Sequence, residues 1–268
     1  LIASTELVGK GRSVPSEAVD KFLLRGVLSE VQRPRLETGI PELDKIFGGG
    51  PRFGELGFLV GNGSEGKSFA AQQLIFSAGL RQNLFCGYAT LEIEAPYLKL
   101  RVAAELTQIP QSEIEKGGEA FEEANRRLAW LIDNNRLGIG LIQDFEPEIT
   151  TLSDIFRWVE EEERIVGRKM DALVVDADEH LHLDDLVERA DLSTYTGFGK
   201  LYAAGRKWTG AKQPKAHKRV LGFISQGKDQ DNRREDYIKK HTDAADSRRK
   251  GRVADWCITI NVRGPGKA

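Results

Sequence analysis

The stretch Leu56-Gly57-Phe58-Leu59-Val60-Gly61-Asn62-Gly63-Ser64-Glu65-Gly66-Lys67-Ser68 decides how this chain is read. Its first five residues carry no polar alternation, the pattern of a strand buried on both faces of a sheet. The next eight match G-x-x-x-x-G-K-[ST] in full, and an amphipathic run, Ser68–Leu80, follows. Strand, glycine-rich turn and helix in that order make a phosphate-binding loop. The glycines let the backbone curl until successive N–H groups converge on one anion, and the helix start adds its positive end. Gly61, Asn62, Gly63, Ser64, Glu65, Gly66, Lys67 and Ser68 are therefore the candidate nucleotide cradle. Lys67 reaches the β- and γ-phosphates, and the Ser68 hydroxyl is a ligand for Mg²⁺.

Outward from this loop the chain alternates short apolar runs with helical stretches. The further runs are 84–91, 137–142, 172–175, 220–224 and 256–260, and the helical stretches are 68–80, 95–107, 121–133, 152–166 and 193–208. This alternation predicts an α/β fold with a doubly wound, mostly parallel sheet and right-handed crossovers. The run Asp171–Asp176 supplies an apolar strand ending in a carboxylate, at the strand end where open α/β sheets bind ligands. Asp176 is the candidate Mg²⁺ acid, with Asp178 and Glu179 close behind as rivals.

Composition narrows the classes further. The 268 residues hold 39 Lys+Arg against 41 Asp+Glu, a formal net charge of −2. No apolar run approaches the ~20 residues of a membrane span. The N-terminus has no basic stretch leading into an apolar run, so a cytoplasmic chain without a signal peptide is expected. Two cysteines exclude a disulfide scaffold or a cysteine-based zinc site. His180 and His182, beside Asp178 and Glu179, read as local structure rather than a transition-metal site. Two basic stretches, 206–219 and 228–252, are hidden in the near-neutral average, so the net charge does not exclude nucleic acid.

The segment Thr38-Gly39-Ile40-Pro41-Glu42-Leu43-Asp44, running through Gly48-Gly49-Gly50 into Gly54-Glu55-Leu56, resembles the lead into the loop of RecA-like ATPases. Four further segments resemble the DnaB-type replicative helicases in family order, the phage-encoded members most. They are Tyr88-Ala89-Thr90-Leu91-Glu92-Ile93, then Leu100-Arg101 with Leu106-Thr107-Gln108-Ile109-Pro110, then Ile224-Ser225-Gln226-Gly227, and Ala254-Asp255-Trp256-Cys257-Ile258-Thr259-Ile260-Asn261. The resemblance covers about residues 38–261 and implies a RecA-like motor core that hydrolyses ATP with Mg²⁺ at the interfaces of a homo-oligomer, a hexameric ring. The ring translocates on single-stranded DNA and has primase, polymerase or helicase loader as companions.

The resemblance also implies roles. Glu92, at the end of a second strand expected beside the loop strand, is the general base that activates water, with Glu94 as a rival. Gln226 senses the γ-phosphate. Arg263 resembles the arginine finger given to a neighbouring subunit, although it follows the previous strand without the further strand the family has. Lys228, Arg233, Arg234, Lys239, Lys240, Arg248, Arg249 and Lys250 are the candidate DNA contacts. Residues 1–36 form an N-terminal segment whose helix, about 14–31, resembles the family's linker helix, and residues 37–268 form the motor domain. The alternative is a RecA/KaiC-type ATPase, a recombinase or regulatory ring or filament without unwinding activity.

Overall fold

The structure is a computed structural model, and it describes residues 32–62, 65–183, 194–213, 216–227, 250 and 253–260. The chain divides into two compact units, Leu1–Pro34 and Arg35–Ala268. The expected linker helix lies outside the described residues.

The second unit opens with a short helix, α1 (Pro41–Phe47). The Thr38-Gly39-Ile40-Pro41-Glu42-Leu43-Asp44 motif explains it. The Asp44 carboxylate accepts the backbone N–H and the hydroxyl of Thr38, at 2.8 and 2.9 Å. Pro41 starts the helix where its missing N–H costs nothing, and Gly48 ends it in the left-handed conformation. Gly50 then passes so close to the preceding chain that a Cβ would meet the Leu36 carbonyl oxygen at 2.0 Å.

The central sheet follows: β1 (Leu56–Gly61), β2 (Phe85–Thr90), β3 (Ile139–Asp144), β4 (Ala172–Asp176), β5 (Val220–Gln226) and β6 (Trp256–Thr259). The six strands run in the order β3-β2-β4-β5-β1-β6, and every pairing among them is parallel. The five apolar runs outside β3 give four strands buried along their whole length apart from the last residue of β5, and β6, which is only partly buried. β3 is an edge strand and only partly buried. One expectation is corrected here. The strand before Glu92 is not beside the loop strand: β1 pairs with β5 and β6, and β2 pairs with β3 and β4. Two strands, β5 and β4, stand between them.

Helices cover both faces. The helix after the loop is α2 (Lys67–Ala71), a π-helical turn (Gln72–Ser77) and α3 (Ala78–Arg81). With α4 (Ala95–Thr107) it covers the face of Leu59, Tyr88 and Val174. α5 (Gln111–Ile114) and α6 (Gly118–Asp133) form a satellite around Ile109, Ile114 and Ala124. The opposite face, with Phe58, Phe85 and Phe223, packs against α7 (Leu152–Val166) and α8 (Thr194–Trp208). Alternate residues of β1 thus enter opposite cores, as the pleat demands. Gly57 faces Trp256, whose ring leaves no room for a side chain.

Candidate active site

All the parallel strands point their carboxyl ends the same way, so the chain segments leaving β1, β2, β4 and β5 meet at one edge of the sheet. The register fixes who meets whom. Gly61, the first residue of the loop, lies opposite Gln226, and Thr90 lies opposite Asp176. A cleft of about 530 Å³ opens there, lined by Gly66, Lys67, Ser68, Phe69, Glu92, Ile93, Arg101 and Gln226. That volume is in the range of small-molecule sites.

Gly66 takes φ +82° and starts α2, so the backbone turns into the helix at Lys67. Lys67 is 8% exposed, and its ammonium donates to the Asn62 carbonyl at 3.0 Å. The Glu65 carboxylate accepts the Asn62 N–H at 2.5 Å. The chain's own anion thus sits on an amide of the loop, which is the chemistry a phosphate oxygen would take over. Gly63 and Ser64 lie outside the described residues.

Asp176 ends β4 fully buried. One carboxylate oxygen accepts the Tyr88 hydroxyl at 2.8 Å, and the nearby Ser68 side chain favours the charged carboxylate. The other oxygen, Oδ1, is buried with no hydrogen-bond partner. Burial raises this carboxyl above the usual range, the Glu92 charge adds to the rise, and Lys67 opposes it. An orphaned anionic oxygen beside the loop hydroxyl fits a divalent cation held by Ser68 and Asp176. Of the two rivals Asp178 is fully engaged, whereas Glu179 also keeps one buried oxygen, Oε2, without a hydrogen-bond partner. Asp178 accepts from Tyr202 at 2.6 Å and Ser225 at 2.7 Å and pairs with Lys250 at 3.1 Å. Burial pushes Asp178 up, but the Lys250 charge holds it below the ordinary carboxylate range. Glu179 accepts the Gln226 N–H at 3.1 Å, and burial beside Asp178 raises it to about 8.

Glu92 follows β2 in a turn that Thr90 builds. The Thr90 hydroxyl donates to the Ile93 carbonyl at 2.7 Å and accepts the Ile93 N–H at 3.0 Å. Asp144 caps the next helix by accepting the Ala95 N–H at 2.9 Å. The turn brings Glu92 to the cleft lining, whereas Glu94 is the N-cap of α4 and is not part of that lining. The His180 ring nitrogen Nε2 lies 3.1 Å from Glu92 Oε1. No group of three or more candidate metal-binding His, Cys, Asp or Glu occurs among the described residues.

The basic stretches fall out differently from expectation. Lys250 is a correction: expected among solvent-facing DNA contacts, it has a side chain only 5% exposed and paired with Asp178. Lys228, Arg233, Arg234, Lys239, Lys240, Arg248, Arg249 and Arg263 lie outside the described residues. In the other stretch, Arg206 pairs with Asp255, His217 with Asp171 and Arg219 with Glu163. The Lys218 ammonium donates to the carbonyls of Gly210 and Gln213. These four side chains serve internal contacts.

Four contributors have no role assigned from sequence: Tyr88, Phe69, Arg101 and His180. Tyr88 had a readable signal, because a tyrosine in a strand buried on both faces needs a partner for its hydroxyl. The other three depend on how separate elements meet.

The fold is RecA-like: a parallel sheet, flanked by helices, with the phosphate loop and an acid-tipped strand at one edge. The chain is similar to a solved structure described as an ATPase domain, at 16% identity and a TM-score of 0.67, covering 93% of this chain and 84% of that one. It is equally similar to a DnaB-like replicative helicase, solved in a study of that helicase and its interactions with primase, at 16% identity and a TM-score of 0.67. That match covers 90% of this chain, which spans only 59% of the helicase chain. No protein-family model matches the sequence, and no curated protein does.

Proposed function

We propose that this chain is the motor domain of an ATP-dependent replicative DNA helicase. The observation that carries the reading is the meeting of Lys67, Ser68, Glu92 and Gln226 in one cleft, with the buried carboxyl of Asp176 near Ser68. Lys67 and the loop amides bind the phosphates of ATP. Ser68 and Asp176 hold Mg²⁺, which when bound neutralises charge on the phosphate oxygens. Glu92 orients the attacking water and takes its proton, and His180 steadies the carboxylate. Gln226, an uncharged amide opposite Gly61, hydrogen-bonds the γ-phosphate without altering net charge.

The likeness to a DnaB-like helicase supports an assembly of several copies, a hexameric ring, with ATP at the subunit interfaces and Arg263 offered in trans. Lys228, Arg233, Arg234, Lys239, Lys240, Arg248 and Arg249 track the phosphates of single-stranded DNA. Primase, polymerase or a loader are the companions this role calls for. Residues 1–36 link subunits, and residues 37–268 carry the motor. Among the described residues no helix is long and apolar enough to cross a membrane, and the working compartment is the cytoplasm.

The test is ATP turnover with and without oligo-dT, followed by strand separation on a forked DNA. Stimulated turnover with separation supports the helicase. Stimulated turnover with no separation favours the RecA/KaiC-type alternative. Nucleotide binding without turnover removes the motor reading.

A further inference from the structure

The two oxygens of the Asp176 carboxyl group have different surroundings. Oδ2 accepts the Tyr88 hydroxyl at 2.8 Å, and Oδ1 is buried with no hydrogen-bond partner among the described residues. Tyr88 and Asp176 are both fully buried.

The register explains how the hydroxyl gets there. In the parallel pair of β2 and β4, Tyr88 lies opposite Val174 and Thr90 opposite Asp176. Side chains two apart in a strand share a face, so Tyr88 and Asp176 project to the same side of the sheet. An aromatic side chain is long enough to reach the diagonal neighbour two residues along the adjoining strand. The Phe76 ring, from the helix that follows the loop, meets the Tyr88 ring edge-on at 6.2 Å and holds it from the other side. The Leu91 N–H donates to the Asp176 carbonyl at 2.6 Å, so the two strand ends are also tied through their backbones.

Packing does not call for the hydroxyl, since a phenylalanine would fill the same apolar space against Phe76 and Val174. Its effect falls on the acid: it occupies Oδ2, fixes the orientation of the carboxyl group and leaves one oxygen to offer. A carboxylate limited to one oxygen suits Mg²⁺, which demands near-ideal octahedral geometry and takes few protein ligands. Ca²⁺ is larger, takes roughly six to eight oxygens and accepts a carboxylate through one oxygen or both.

We propose that Tyr88 is a positioning residue that restricts Asp176 to a single oxygen, Oδ1, for the cation, and so sets a preference for Mg²⁺ over Ca²⁺ beside the bound nucleotide. The proposal rests on the functional reading above and deepens it, because Tyr88 acts only through Asp176.

The test uses the full chain and the variant Tyr88→Phe, which keeps the ring and removes the donor. Affinity for a fluorescent ATP analogue is titrated in EDTA, in saturating Mg²⁺ and in saturating Ca²⁺. The readout is the gain in affinity that each cation gives over EDTA. In the parent the Mg²⁺ gain exceeds the Ca²⁺ gain. In Tyr88→Phe the Mg²⁺ gain falls about tenfold, the lower range for losing the hydrogen-bond partner of a metal ligand, while the Ca²⁺ gain and the EDTA affinity stay within about threefold of the parent. Tyr88→Met, an adaptable apolar side chain without a donor, gives the same reading if Tyr88→Phe fails to fold. An unchanged Mg²⁺ gain overturns the proposal. So does an equal loss with both cations, or a matching loss in EDTA, which marks Tyr88 as purely structural. A parent that gains as much from Ca²⁺ as from Mg²⁺ overturns it without any variant. A parent that binds the analogue equally with and without cation also overturns it and leaves nucleotide binding standing. A parent that binds no nucleotide instead removes the functional reading on which the proposal rests.

Discussion

Asp176 engages one carboxylate oxygen with Tyr88 and leaves the other buried without a protein partner. Lys67, beside it, directs its ammonium to the carbonyl of its own loop. Both groups are thus placed to exchange a protein contact, or none, for a ligand. Lys67→Ala is expected to weaken ATP binding by about tenfold or more, the contribution of a charge-assisted hydrogen bond; titration with a fluorescent ATP analogue measures it. Asp176→Asn is expected to raise the Mg²⁺ concentration needed for half-maximal turnover by about tenfold or more, since an amide is a poor substitute for a carboxylate ligand; an unchanged Mg²⁺ dependence would remove Asp176 from the metal site. At this scale the loop was legible because its chemistry is local: eight consecutive residues carry it. The choice among Asp176, Asp178 and Glu179 was not, because what occupies Asp178 is Lys250, 72 residues later in the chain. Lys250 itself read as a DNA contact for the same reason.

Elements are tied together by contacts of this long-range kind. Glu163, near the end of α7, is 5% exposed and takes hydrogen bonds from Lys169 at 2.6 Å, the Met170 N–H at 2.9 Å and Arg219 at 2.9 Å. It fastens the helix to the chain entering β4 and β5, and Arg219 also lies over the Trp208 ring at 4.7 Å. Burial pushes the Glu163 carboxyl up, but these three donors outweigh it and hold the group below its ordinary 4.5. The stabilisation is therefore fully present above pH 4.5 and is lost as pH falls through the depressed folded value. Glu163→Gln is expected to cost about 3 kcal/mol at neutral pH, and the gap in Tm between parent and variant is expected to close in acid. Gly57→Ala is expected to cost about 1–3 kcal/mol by overpacking, because its Cβ would meet the Trp256 ring at 1.9 Å; a denaturant melt measures it. The strands and the long helices were legible as apolar periodicity. Strand order was not, since parallel strands of equal apolarity carry no label of their neighbours; hence Glu92 was expected one strand away from the loop and lies across two. The helix α1 was hidden because its apolar content is short and the turn before it is held by a side-chain contact, Thr38 to Asp44.

For the whole molecule, the second unit is one RecA-like core, and the chain spans 59% of the DnaB-like helicase chain it matches. Its chemistry is assembled from strand ends that converge only once the sheet has formed, so a variant at the cleft can be silent in stability and decisive in rate. Exposed Ile46, Phe69, Tyr97 and Trp130, each more than half accessible, leave apolar surface outside both cores. The central claim is that the cleft hydrolyses ATP with Glu92 as base, and it is tested most directly by comparing steady-state ATP turnover and nucleotide affinity of the parent and Glu92→Gln. Unchanged affinity is expected, with turnover lower by about 100-fold or more, the contribution of a positioned general base. Equal turnover in the two proteins would contradict it.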